Sequence, residues 1–164
     1  MKPIALLLSL FLIPLSAHGQ FDEAAFRQAL RVKRNVYLQE GAVSGGDRLS
    51  SDVKVSNVRI ASNPAGYDRV VVDFSKLDRP PFFLVENDPG NRRVMVTLYG
   101  KVKADFSSQS AIQAARKTRT LSSIDFLPQV ESDRYSFALK SKNPVKSEVF
   151  ELTGPARLII DLKP

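Results

Sequence analysis

Four arginines each open a short run of one design: Arg69-Val-Val-Val-Asp-Phe74, Arg93-Val-Met-Val-Thr-Leu98, Arg134-Tyr-Ser-Phe-Ala-Leu139 and Arg157-Leu-Ile-Ile-Asp-Leu162. A guanidinium carries a planar fork of N–H donors that grips a carboxylate through two parallel hydrogen bonds, so arginines gathered on one surface read acidic groups. Asp73 and Asp161 offer the other use of the same residues, as cross-strand ion-pair partners of Arg69 and Arg157 that hold a sheet together. Tyr67, Tyr99 and Tyr135 border arginine or turn residues and would lay a ring on a sugar face while keeping their hydroxyls wet. The candidate ligand-binding set is therefore Arg69, Asp73, Arg93, Arg134, Arg157, Asp161, Tyr67 and Tyr135. The phenylalanines at strand ends, Phe74, Phe82, Phe126, Phe137 and Phe150, read as core.

The chain has no cysteine and one histidine, His18. Zinc hydrolases need His or Cys ligands around an open metal position, and Ser or Cys hydrolases usually need a histidine base. A two-carboxylate glycosidase needs only an acid pair, but Asp73 and Asp161 are placed as ion-pair partners of arginine, which does not suit a general acid. No catalytic residue, metal or cofactor is expected. With no disulfides, stability must come from packing and hydrogen bonds.

These residues are carried by segments whose apolar positions alternate, the signature of half-buried strands. Strands are expected at Val55–Ile60, Arg69–Phe74, Pro81–Glu86, Arg92–Tyr99, Leu121–Leu127, Arg134–Leu139, Pro144–Leu152 and Ala156–Leu162, separated by turns such as Asn87-Asp-Pro-Gly-Asn91. The arginine runs are 24 residues apart in the first half and 23 in the second, and Asp68-Arg69 returns as Asp133-Arg134 at an offset of 65. This is a duplicated four-strand unit, with Ser110–Lys117 as a brief helix or loop between the copies. Alternation puts Val70, Val72 and Phe74, or Leu158, Ile160 and Leu162, on one face and the arginines on a solvated one. The expected fold is all-β, a β-sandwich of two pseudo-symmetric four-stranded sheets with their apolar faces together.

Residues 1–19 join a basic start at Lys2, an apolar run of about a dozen residues and Ala17-His18-Gly19, the three regions of a secretory signal peptide cut after Gly19. The run is shorter than the roughly 20 residues a membrane-spanning helix needs, so no transmembrane segment is expected in the mature chain. Residues 20–52 read as a short helix over 21–38 and a Gly/Ser-rich flexible linker, with the structured domain at 53–164. Without Lys2, 23 basic residues face 17 acidic ones, a net charge near +6. That suits a basic surface or an anionic partner, and export to the periplasm excludes nucleic acid as that partner.

The run Val55-Ser-Asn-Val-Arg-Ile60, the strand Arg69–Phe74 and the closing Gly154-Pro-Ala-Arg-Leu-Ile-Ile-Asp-Leu162 resemble the AMIN (amidase N-terminal) domain family over Val53–Pro164. The resemblance implies a sandwich of two symmetry-related sheets that binds peptidoglycan in the bacterial cell envelope without catalysis. It makes Arg69, Asp73, Arg157 and Asp161 the matching motif positions. It also implies partners of the kind such domains accompany: an envelope amidase, a pilus protein or a secretin. Two functions follow as expectations, a peptidoglycan-binding module or a protein-interaction accessory acting through an exposed sheet edge or the basic N-terminal helix.

Overall fold

The inward positions of the period-two alternation are realised almost residue for residue in the arginine runs. Val70, Val72, Leu158, Ile160, Leu162, Val94, Val96, Leu98, Phe137 and Leu139 are all fully buried. The computed structural model describes residues 37–48 and 52–164. The strands are β1 (Gly41–Gly45), β2 (Asp52–Asn63), β3 (Tyr67–Ser75), β4 (Phe83–Asp88), β5 (Arg93–Tyr99), β6 (Lys101–Ala104), β7 (Leu121–Phe126), β8 (Arg134–Ser141), β9 (Lys146–Leu152) and β10 (Arg157–Lys163). One helix, α1 (Ser108–Arg116), lies between β6 and β7. The signal segment 1–19 and all but the last two residues of the helix expected over 21–38 lie outside the described residues. Among the described residues no helix is long and apolar enough to cross a membrane.

The strands form two sheets, β6-β2-β3-β10-β9 (sheet A) and β1-β4-β5-β8-β7 (sheet B), whose inner faces meet in one hydrophobic core. The sandwich is all-β as expected, but each sheet has five strands, because β1 and β6 add to the edges. The duplication has a form that spacing alone does not reveal. Each half gives one hairpin to each sheet: β2–β3 and β9–β10 to sheet A, β4–β5 and β7–β8 to sheet B. Exchanging β2–β5 with β7–β10 maps the order of one sheet onto the other. The four arginine-headed strands are thereby the central pairs, β3–β10 and β5–β8.

One phase break sits in β2. Val55 and Val58 are three residues apart, yet both are buried, because the β2–β3 register shifts between Val55 and Asn57. Such a bulge adds one residue and lets both valines face the core; simple alternation puts Val55 on the opposite side from Val58. Helix α1 packs against β7 and β2 and buries Ala111 and Ala115. It starts where the Ser107 side chain accepts from Ser110 N–H, the usual satisfaction of an orphan helix donor.

Beneath the α1–β7 connection lies a buried carboxylate. Asp68, wholly buried on β3, accepts from Ser62 Oγ at 2.5 Å, Thr120 N at 2.6 Å and Thr120 Oγ1 at 2.5 Å. Burial opposes its ionisation. The hydrogen bonds from Ser62, Thr120 and Thr118 outweigh that penalty and hold its pKa below the ordinary carboxylate value.

The Gly/Ser-rich stretch expected as linker is structured instead. Gly41–Gly45 is β1, paired antiparallel along its length with β4. Gly45 and the following Gly46 serve close approach: a Cβ on Gly45 would clash with Glu151 Oε1 and stand 2.8 Å from the Phe83 ring, and one on Gly46 (φ +84°) would clash with Pro81 O. The strand is latched at both ends. Leu38 bridges to Ser147 on sheet A through two 2.8 Å backbone bonds, Asn87 Nδ2 donates to Leu38 O, Gln39 O and Val145 O, and Gly46 N–H donates to Glu151 Oε1 at 2.8 Å. The segment from Leu38 to Gly46 therefore joins the two sheets along one side, and Leu38 is extended rather than helical.

Candidate functional site

On the outer face of sheet A the strand register dictates who meets whom. Asp161 on β10 stands opposite Arg69 on β3, and Arg157 opposite Asp73. Arg69 grips Asp161 in both prongs, Nε to Oδ1 at 2.7 Å and a terminal nitrogen to Oδ2 at 2.8 Å. The same guanidinium lies over the rings of Tyr67 (5.3 Å) and Phe150 (5.5 Å) and donates to the Tyr67 hydroxyl at 3.3 Å. Asp73 is taken in the same bidentate way by Arg59 of β2, at 2.7 and 2.8 Å, instead of by Arg157. The Nε of Arg157 is buried and has no hydrogen-bond partner among the described residues.

This face is less open than alternation predicts. Ile159 and Asp161 at its centre are 2 % and 0 % exposed. The Arg69 fork, both Asp161 oxygens and a face of Tyr67 are consumed inside the protein, an arrangement that holds strands together. A carboxylate buried this deeply depends on its cation. Arg69→Gln is expected to cost about 2–3 kcal/mol of stability, below the ~3–5 kcal/mol of a fully buried pair because the arginine side chain is 34 % exposed. Urea denaturation at neutral pH measures it.

The other predicted residues belong to sheet B. Arg93 pairs with Asp88 across the β4–β5 turn at 3.2 Å, and Arg134 pairs with Glu131. The two arginines stand at opposite ends of the β5–β8 ladder, opposite Lys140 and Tyr99 respectively. In a sandwich the two outer faces point away from each other, so Arg69 and Arg157 never share a surface with Arg93 and Arg134. A single platform of four arginines is not formed. Tyr135 is also misplaced by the sequence reading. It follows Arg134 by one residue and so faces inward, half-buried, with its ring 6.5 Å from that of Phe137, and burial raises its hydroxyl pKa.

What sheet B does expose is a row that crosses four strands' width at one end. The Arg48 guanidinium lies 4.5 Å from the Phe82 ring centroid. Phe82 meets Tyr99 with ring centroids 5.1 Å apart and planes tilted by 38°. Tyr99 is the cross-strand neighbour of Arg134. The backbone fixes each member: Phe82 N–H donates to Asp47 O at 2.9 Å and Tyr99 N–H to Phe82 O at 2.9 Å. Strands lie ~4.8 Å apart, so the row Arg48–Phe82–Tyr99–Arg134 is roughly 14 Å long.

Both arginines are exposed and both rings are partly exposed. Two partly exposed aromatic rings packed on each other, with a guanidinium at either end, suit a ligand with apolar C–H groups and acidic ends. Sequence reasoning placed Phe82 in the core and Arg48 in a linker. The missed signal is the doublet Phe82-Phe83: a strand must turn one of two successive side chains outward, and buried Phe83 leaves Phe82 on the surface. No family model matches the chain, and no curated protein shows detectable sequence similarity to it.

Proposed function

We propose that this chain is a non-catalytic module of the bacterial cell envelope that binds peptidoglycan through the outer face of sheet B. The observation that carries this reading is the Arg48–Phe82–Tyr99–Arg134 row. Sugar rings present C–H faces to aromatic rings, and the free carboxylates of the stem peptides meet the flanking guanidiniums. The AMIN resemblance of Val55–Ile60, Arg69–Phe74 and Gly154–Leu162 supports the same class of ligand, although in this chain the matching motif positions Arg69, Asp73 and Asp161 are spent on ion pairs. The net charge near +6 after export favours an anionic polymer, and a secretory signal at residues 1–19 would deliver the chain to it.

Purified residues 20–164 are expected to sediment with cell-wall sacculi at low ionic strength and to be released progressively as salt rises from about 0.05 to 0.5 M, over which the screening length shrinks from beyond 10 Å to a few ångströms. Retention that is indifferent to salt, or no retention at low salt, would contradict the reading.

A further inference from the structure

Sheet A ends in a strand built differently from the other edges. β6 pairs with β2 on one side, in parallel, and is the outermost strand of its sheet, so alternate backbone N–H and C=O groups of Lys101–Ala104 point away from the sheet. Facing that edge is the β7–β8 connection, and between them runs an open groove of about 510 Å3 walled by Lys101, Val102 and Lys103 on one side and Gln129, Val130 and Glu131 on the other. Val130 is 90 % exposed and Leu127, at the start of the same connection, 38 %; among the described residues they are the exposed large hydrophobic side chains. The groove's one acid, Glu131, is engaged by Arg134, while Lys101 and Lys103 form no ion pair among the described residues. Val102 is buried, so both lysines project to the opposite, outer side of β6.

We propose that this groove takes an extended, acidic segment of a partner protein as a sixth strand of sheet A. Main-chain pairing along β6 supplies the binding, and side-chain chemistry supplies the choice. Residues of the incoming strand opposite Lys101 and Lys103 share their face and carry carboxylates. The intervening residue shares the face of Val102 and is apolar. Four residues of β6 span roughly 13 Å, which sets a recognised length of four to six residues. Of the other edges, β9 is bridged by Leu38, β7 carries an irregular register at Leu121–Ser123, and β1 has no charged side chain to select a ligand.

Fluorescence anisotropy of residues 20–164 with a labelled hexapeptide of alternating Asp and Val tests this. Saturable binding is expected. A Lys/Val probe of the same pattern should not bind, and a probe with proline at a central position, which removes a ladder donor, should lose at least tenfold. Lys101→Gln/Lys103→Gln should weaken the Asp/Val probe at least tenfold while melting as the parent does. Equal binding of the proline probe, or unchanged affinity in the lysine variant, overturns the proposal and leaves the lysines as guards against edge-to-edge association. Soluble muropeptides that bind in place of the peptide and lose affinity in the lysine variant overturn it in favour of a cell-wall ligand. Sacculus retention by the lysine variant should stay at the parent's level, so failure here is distinguishable from failure of the sheet B reading.

Discussion

Asp68→Ala should lower stability by on the order of 3–5 kcal/mol, a drop in melting temperature of about 10–20 °C for a domain of this size. The substitution removes the acceptor for Ser62 Oγ and for both Thr120 donors, and Thr120 is itself only 4 % exposed. Buried donors left without an acceptor lose their full desolvation cost, about 1–3 kcal/mol for each group. The effect spreads because Asp68 ties β3 to the α1–β7 connection, which carries the chain from sheet A into the second half of sheet B. The pH dependence follows from the sign of the shift. Asp68 has a folded pKa below its unfolded value, so its contribution is present above the unfolded pKa near 3.9 and is lost as pH falls through the folded pKa. Acid unfolding of the parent should therefore be steeper in that window than that of Asp68→Ala. A variant that melts within a few degrees of the parent at pH 7 would show that the site is not the anchor its geometry describes.

Reversing both ends of the sheet B row, Arg48→Glu with Arg134→Glu, should weaken sacculus binding by at least about a hundredfold. Each engaged guanidinium contributes a charge-assisted contact on the order of 1.5–3 kcal/mol, and every 1.4 kcal/mol is a factor of ten. The reversed charges add repulsion toward an anionic polymer. Stability should change little. Arg134 is 47 % exposed and, among the described residues, forms its ion pair with the exposed Glu131, a solvent-screened contact that contributes little to stability. Co-sedimentation at low salt, alongside a thermal melt, reads both quantities.

The strands were legible because one face of each is apolar and one is not; β5, β8 and β10 begin at or within one residue of where alternation starts them, and β3 two residues earlier, at Tyr67. Their recurrence also marked the duplication. Three things were not legible. Ser56 sits in a bulge, and an extra residue in a pairing is a property of two strands together, not of Val53–Ile60 alone. Gly41–Gly45 has the composition of a linker, and only the closeness of Phe83 and Glu151 shows why glycine is needed in a strand there. The interleaving of hairpins, finally, decides which outer face each arginine occupies. Arg69 and Arg134 hold the same place in the repeat, yet one is clamped on the buried Asp161 in sheet A and the other pairs with the exposed Glu131 at the surface of sheet B. The surface row itself joins Arg48, Phe82, Tyr99 and Arg134 through cross-strand adjacency that no local spacing encodes.

The division between a face that holds the fold and a face that reads the ligand is tested most directly by comparing Tyr99→Ala with Arg69→Gln, each measured for sacculus affinity and for urea stability. Crossed results are expected. Tyr99→Ala should lose affinity at least about tenfold, the scale of a stacked aromatic contact plus its buried area, and stay close to the parent in stability. Arg69→Gln should lose about 2–3 kcal/mol of stability and bind as the parent does under conditions where it is folded. If Tyr99→Ala binds sacculi as tightly as the parent while Arg69→Gln does not, the ligand is read by sheet A and the assignment of the two faces is wrong.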